Sequence, residues 1–488
     1  MLVQVEVMLF FKCLLLPLVF IGEVLSSDMH NIFHDNAYLK HERFHDVQET
    51  PGIKKILIYT NLFGSSEWPN LREEDGDTYL KKFGCPVTNC HLEYRKEENQ
   101  LQNADIVVFH ERDMPDILTL KHLSNNERPK SQLWVYFTGE SPANSLADIS
   151  MFDDIFDWTM TYKHTSDIWV PYARSYTTKK RRYKENIDYA KGKTKLVAWI
   201  VSQCGKLRDS VAHELDQILP VHVAGHCSSN FPNRFYCEDH FCENQLHDFK
   251  FYLAFENSHC EEYVTEKYWQ KSIKSGVVPV VLGGGPYNSP HVAIPGSYIN
   301  ALDFKTVADL GKYLKYLDKN NTAYNEYFKW REHYELWNPV CDWPFEPYWA
   351  CEMCVRLNKG VKHRQRVKMS EFWSVHRNCR GNEIEELLRK SGHDPSRFVE
   401  KYENTFGRVS KELDYEEEKQ HQPEMHNNNN EGEISIKEDV YNFEKLKKEA
   451  RFLQDSAGES YVIIFIFSLS VVGLLVFLYK RLAWTKVC

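Results

Sequence analysis

The 488-residue chain has no excess of positive charge. Its 60 Lys and Arg are outnumbered by 69 Asp and Glu, giving a formal net charge of −9. It therefore lacks the basic footprint that nucleic acid selects. Internal repeats are absent. Only one N-glycosylation sequon occurs, at Asn320-Asn321-Thr322. Cys351-Glu-Met-Cys354 has no second CxxC beside it, so support for a zinc site is weak. Asp153-Asp154 is the acidic pair weighed as a metal site, and His110, Glu111 and His164 read better as structural than as metal ligands. No metal is assigned, and a divalent ion is not expected to be essential.

Long apolar runs are scarce. Tyr461 to Tyr479 is uncharged and long enough to cross a bilayer, and Lys480 and Arg481 follow at once. The positive-inside rule puts the short tail in the cytosol and the bulk of the chain in a lumen. Leu9 to Ile21 is shorter, is broken by Lys12, and leads into small residues up to Ser27. It reads as a secretory signal or a signal anchor. The 13 cysteines fit an oxidising compartment. Setting aside Cys13 and Cys488 leaves an odd number, so at least one is unpaired or pairs outside the chain. Cys85 and Cys90 have a short spacing like that of Cys351 and Cys354. The preferred reading is two bridges tying the N-terminal region to Cys351 and Cys354. Around the middle of the chain Cys204, Cys227, Cys237, Cys242 and Cys260 cluster, with a connectivity that spacing does not give.

Short apolar runs recur at helix-length intervals: Lys55–Tyr59, Ala104–Phe109 and Gln132–Phe137, then Leu196–Ser202, Val221–Gly225, Phe251–Phe255 and Val277–Leu282. That pattern predicts two successive parallel α/β units, with function in the loops beyond the strand C-termini. Tyr183–Lys195, basic and polar, reads as the linker between them. The expected organisation is a signal or anchor (1–27), a stem (28–50), an acceptor-side Rossmann-like domain (51–190) and a nucleotide-side one (191–340). A cysteine-bearing segment that packs back on the first domain (341–380) follows. Then come an acidic, largely disordered tether (381–460), the span (461–479) and a cytosolic tail (480–488).

The densest signal is Phe249 to Trp269. An apolar, aromatic strand ends at Glu256-Asn257, and Thr265 can cap a helix opening with Glu266 and Lys267. Free N–H groups and a lysine in one helical turn suit a phosphate. Glu266 would accept from sugar or ribose hydroxyls. Phe251–Asn257, Tyr263–Trp269 and Gly276–Gly283 together closely resemble the donor-binding signature of the α1,3-fucosyltransferases. Further blocks resemble the same family: Ile56–Tyr59 with Phe63-Gly64, Gly139–Pro142, Asp157–Tyr162, Ser166–Tyr172, Val197–Ser202 and Arg208. The cysteine-rich middle looks more like the enzymes that fucosylate the N-glycan core. Ser166–Tyr172 looks more like the antennal, Lewis-type enzymes, so the acceptor class stays open. His164-Thr165 stands where the family commonly carries Arg-Asp.

The resemblance implies a GT-B fold, two Rossmann-like domains facing a cleft. It implies inverting transfer of L-fucose from GDP-fucose to a GlcNAc hydroxyl of a glycoprotein or glycolipid glycan. It also implies disulfide cross-links of the Cys85/Cys90 to Cys351/Cys354 kind. Golgi membrane is the implied location, with the endoplasmic reticulum as the other candidate. A single displacement with inversion needs one general base and no covalent nucleophile. Glu140 is the candidate base. Arg208 and Lys267 are candidates to stabilise the departing diphosphate, since Arg can bind phosphate bidentately and Lys acts as a point charge. Ser202, Tyr252, Glu256, Asn257 and Glu266 match donor-site positions. Two rivals come from other classes. One is a catalytically silent luminal glycan-binding membrane protein of the same fold. The other is a glycosidase, which would need a second catalytic carboxylate near Glu140.

Overall fold

The computed structural model describes residues 47–393, apart from 69–70, 72–77, 96, 98, 146–147, 178–186, 238–244, 338–347 and 361–365. The expected signal, most of the stem and tether, the span Tyr461–Tyr479 and the tail lie outside the described residues. Among the described residues no helix is long and apolar enough to cross a membrane.

Two all-parallel sheets follow one another. The first is six-stranded in the order β2-β1-β3-β4-β5-β6, formed by β1 (Lys54–Ile58), β2 (Cys90–Tyr94), β3 (Ile106–His110), β4 (Leu133–Phe137), β5 (Trp158–Thr161) and β6 (Ile168–Trp169). The second is five-stranded in the order β12-β11-β10-β8-β9. Its strands are β8 (Lys195–Ile200), β9 (Val221–Ala224), β10 (Phe249–Phe255), β11 (Val278–Leu282) and β12 (Ile299–Asn300). Between the sheets in sequence, β7 (Arg174–Thr177) leaves the first unit and pairs antiparallel with β13 (Tyr334–Trp337), which leaves the second.

Strand residues alternate between faces, and here both faces are covered, so central strands read as unbroken apolar runs. In β1, Ile56 and Ile58 point one way, into a core shared with the helix Tyr348–Asn358, while Leu57 points the other. In β10, Phe251, Leu253 and Phe255 face a core closed by the helices Leu207–Asp216, Val307–Lys319 and Asn382–Lys390. The opposite faces meet. Leu57, Val107 and Trp134 of the first sheet belong to the same buried cluster as Tyr252 and Ala254 of the second.

Cys85 is bonded to Cys351 and Cys90 to Cys354, which fixes the helix Tyr348–Asn358 on the first unit. Cys204 is bonded to Cys227 and Cys260 to Cys379. The last of these revises the expected role of 341–380. Its helix packs on the first unit, but its end is stitched to the loop after β10. The boundary at 381 moves as well. Ile384, Leu387 and Leu388 are buried in the second unit's core, so the ordered fold continues through the helix Asn382–Lys390. Asn320 sits at a helix junction. Its amide accepts from Ala323 N (3.1 Å) and donates to the Tyr316 hydroxyl (3.0 Å).

Candidate active site

The loops beyond β1, β3 and β4 interlock. Asp113 accepts from the backbone N–H of Phe63 (2.7 Å) and Gly64 (2.8 Å) and pairs with His110 Nδ1 (2.6 Å). The buried Glu111 receives the Thr138 hydroxyl (3.3 Å), and Arg112 donates to the Asn144 carbonyl (2.7 Å). The histidine and acids of this loop are thus spent on holding loops together. Asp153 does the same for Ser370 (2.8 and 2.7 Å), and Asp154 pairs with Lys368.

Glu140 is half-buried, three residues past the end of β4. Its Oε2 receives Asn144 Nδ2 (3.1 Å) and the Tyr263 hydroxyl (3.4 Å). Burial, with nearby carboxylates including Glu140 and Glu256, pushes the Tyr263 phenol far above its usual range, so it remains a donor. The Tyr172 hydroxyl fixes the turn by donating to the Gly139 carbonyl (2.9 Å).

The second unit meets this loop directly. Asn144 Nδ2 also donates to Asn257 Oδ1 (3.2 Å), and Ser141 and Ser258 share a hydrogen bond of 2.5 Å between their hydroxyls. Asn257 Nδ2 in turn donates to Gln203 Oε1 (2.9 Å) in the loop after β8. The strand-end loops of both sheets therefore converge on Glu140, Asn144 and Asn257.

Thr265 caps the short helix Glu266–Tyr268, which runs on as a π-helical stretch, Trp269–Lys274. Lys267 Nζ lies 3.2 Å from Glu256 Oε2, 3.0 Å from Glu266 Oε1 and 2.8 Å from the Thr265 hydroxyl. Burial by itself would lower the Lys267 pKa, but Glu256 and then Glu266 outweigh it and hold the ammonium above its usual value. Glu266 is half-exposed, so an incoming diphosphate would compete with it for Lys267.

Three donor-site expectations change. The Glu256 side chain is wholly buried. Its carboxylate accepts from Thr265 N (2.8 Å) and from the Thr265 hydroxyl, so it orients Lys267 instead of touching a ligand. Tyr252 is a core residue, 1% exposed, on the β10 face turned to the shared cluster. Arg208 is 4% exposed and donates to the carbonyls of Phe255 (2.8 Å) and Gln203 (3.1 Å). Its buried Nε makes no hydrogen bond and lies 3.8 Å from Asp209 Oδ1. Ser202 is exposed in the loop after β8. It faces Gly225, where φ is +90° and an added Cβ would come within 2.6 Å of the Val201 carbonyl. The sequence reading missed Asn144, Ser258, Tyr263 and Gln203. All four lie within four residues of a chosen residue, and an amide or hydroxyl beside a chosen side chain was the available signal. Among the described residues no cluster of His, Cys, Asp and Glu could hold a metal ion.

Comparison with known proteins bears on what this convergence serves. The model of the fucosyltransferase N-terminal region matches residues 52–173. That of glycosyltransferase family 10 (fucosyltransferase), C-terminal region, matches residues 190–373. The α-(1,3)-fucosyltransferase C of Drosophila melanogaster is 31% identical over 370 residues, covering 70% of this chain and 81% of that one. The chain belongs to the glycosyltransferase family 10 fucosyltransferases. A 3-galactosyl-N-acetylglucosaminide 4-α-L-fucosyltransferase of Bos taurus is 35% identical over 285 residues, 57% of this chain and 72% of the relative. Glycoprotein 3-α-L-fucosyltransferase A of Drosophila melanogaster is 31% identical, and the chain spans 64% of its length. A solved α1,3-fucosyltransferase with GDP-fucose overlays loosely, with a TM-score of 0.41 at 18% identity over 66% of this chain and 94% of that one. The two family segments contain the two sheets, one each. The helix Asn382–Lys390 and the half-cystine Cys379 lie beyond the matched span.

Proposed function

We propose that this fucosyltransferase moves L-fucose from GDP-fucose to a GlcNAc hydroxyl of a glycoconjugate, with inversion at the anomeric carbon, in a GT-B cleft. Glu140 takes the proton of the attacking hydroxyl. Lys267, with the Arg208 guanidinium, meets the charge that grows on the departing GDP. Glu266, Asn257 and Ser202 line the donor's side. The supporting observation is the meeting of Glu140 and Asn257, from the strand ends of different sheets, on the single amide of Asn144. Anchoring of Oε2 by Asn144 and Tyr263 leaves the other carboxylate oxygen as the proton acceptor. We place the enzyme in the Golgi membrane with its catalytic units in the lumen, a compartment in which its disulfides, among them Cys85–Cys351, Cys90–Cys354, Cys204–Cys227 and Cys260–Cys379, can persist.

The test incubates the full chain with GDP-fucose and two acceptors. One is an N-glycan with its chitobiose core, the other carries exposed lactosamine antennae, and linkage is read by mass spectrometry. Fucose on the innermost GlcNAc makes it a core enzyme, and fucose on the antennae an antennal one. Binding of GDP with transfer to neither overturns the N-glycan reading.

A further inference from the structure

A cavity of about 250 Å³ lies beside the reacting centre and is lined by none of the residues assigned to it. One wall is the loop after β11, Gly283-Gly284-Gly285. The other is the short antiparallel pairing of 259–261 with 378–380, in which Glu261 N donates to the Asn378 carbonyl and Arg380 N to the His259 carbonyl, both at 2.7 Å. The Cys260–Cys379 bond closes this ladder. A Cβ on Gly284 would lie 2.6 Å from Cys260 N, so glycine is required for the two walls to meet.

The lining is mixed in charge and short of partners. The side chains of Arg377, Arg380 and Glu383 are exposed and form no hydrogen bond or ion pair among the described residues. His259 Nε2 is buried without a hydrogen bond. Glu261 adds a second carboxylate, 3.8 Å from Lys163 of the first unit. Two guanidinium groups and two carboxylates balance, so an isolated phosphate would meet repulsion as well as attraction. A ring of hydroxyls suits the set, accepting from the guanidinium groups and donating to the carboxylates. The volume lies just below the usual range for ligand sites, which leaves room for one ring and not for a longer glycan. Ser258, next to His259, touches Ser141, next to Glu140, so the cavity is close to the proposed base. Arg377, Arg380 and Glu383 all lie past residue 373, where the family match ends.

We infer that this cavity is an acceptor subsite. It holds one neutral sugar of the acceptor glycan, remote from the hydroxyl that reacts, and makes the chain select an extended glycan over a minimal one. The inference rests on the transferase reading above. The full chain and its Arg377→Ala, Arg380→Ala and triple Arg377→Ala/Arg380→Ala/Glu383→Ala variants would be compared on an N-acetyllactosamine disaccharide and a complete biantennary N-glycan. The expected result is a KM for the large glycan raised about tenfold, the loss of roughly one charge-assisted hydrogen bond. The disaccharide KM, the GDP-fucose KM and kcat stay within about twofold. Equal effects on both acceptors, an effect on the donor KM, or no effect overturns the subsite. Saturation-transfer NMR of the glycan on the same proteins separates the two failures. Glycan binding that the variants lose, without any transfer by the parent chain, sinks the transferase reading and keeps the subsite. Absence of glycan binding sinks the subsite.

Discussion

The hydroxyls of Ser141 and Ser258 lie 2.5 Å apart, and each follows closely on a residue assigned to the chemistry. Ser141 succeeds Glu140, and Ser258 succeeds Asn257. Position along the chain separates these pairs by more than a hundred residues, yet one hydrogen bond fixes the register of base against donor loop.

Glu140→Gln keeps Asn144 and Tyr263 within hydrogen-bonding reach but removes the proton acceptor. Transfer should fall about 10²- to 10⁴-fold, the usual worth of a general base. GDP affinity by calorimetry should stay within about twofold. An active Gln variant would move the base elsewhere.

Lys267→Met leaves the wholly buried Glu256 without its counter-charge. Removing one member of such a pair costs about 3–5 kcal/mol. Adding Glu256→Gln retains an acceptor for Thr265 and should restore most of the loss in urea unfolding. Transfer should stay low in both variants, because the ammonium is gone. A double variant as unstable as the single one would show that Glu256 is not balanced by Lys267.

The bridges Cys85–Cys351 and Cys90–Cys354 span 266 and 264 residues, but they lie side by side. With either intact, the other closes only a ring of roughly ten residues. The chain-entropy relation then gives about 3 kcal/mol for the first bridge removed and about 5 kcal/mol for the second. Cys→Ser pairs, singly and together, followed by denaturant unfolding, check the inequality. Equal steps would contradict it.

Burial pushes the His259 imidazole down to about 4 from its ordinary value of 6.5. The folded value is the lower one, so its contribution is complete above pH 6.5 and is lost as pH falls toward 4. The loss approaches about 3 kcal/mol. Stability of the parent chain and of His259→Gln, measured at pH 7.5 and 4.5, should converge at the lower pH. A constant gap would mean that His259 is solvated in the fold.

The sequence made the central strands legible and the edges less so. Ile106–His110 and Phe249–Phe255 are buried on both faces, so composition alone marks them. Cys90–Tyr94, at the edge of its sheet, alternates buried and half-buried residues and carries His and Glu, so no apolar run announces it. The same two-sided burial misled the reading of Tyr252. In a strand without a polar face, nothing in the sequence tells an inward tyrosine from a ligand-facing one. Glu256 was misread for a related reason. Its partner Thr265 is nine residues away, around a loop whose path only the fold supplies.

The Cys260–Cys379 bond gives the loop after β10 a second covalent attachment, to a segment that itself leads into the helix Asn382–Lys390. Many transferases admit and release nucleotide by swinging such a loop as a lid. Here the lid is riveted. Any displacement of the loop must therefore carry Cys379 and the start of the helix Asn382–Lys390 along with it.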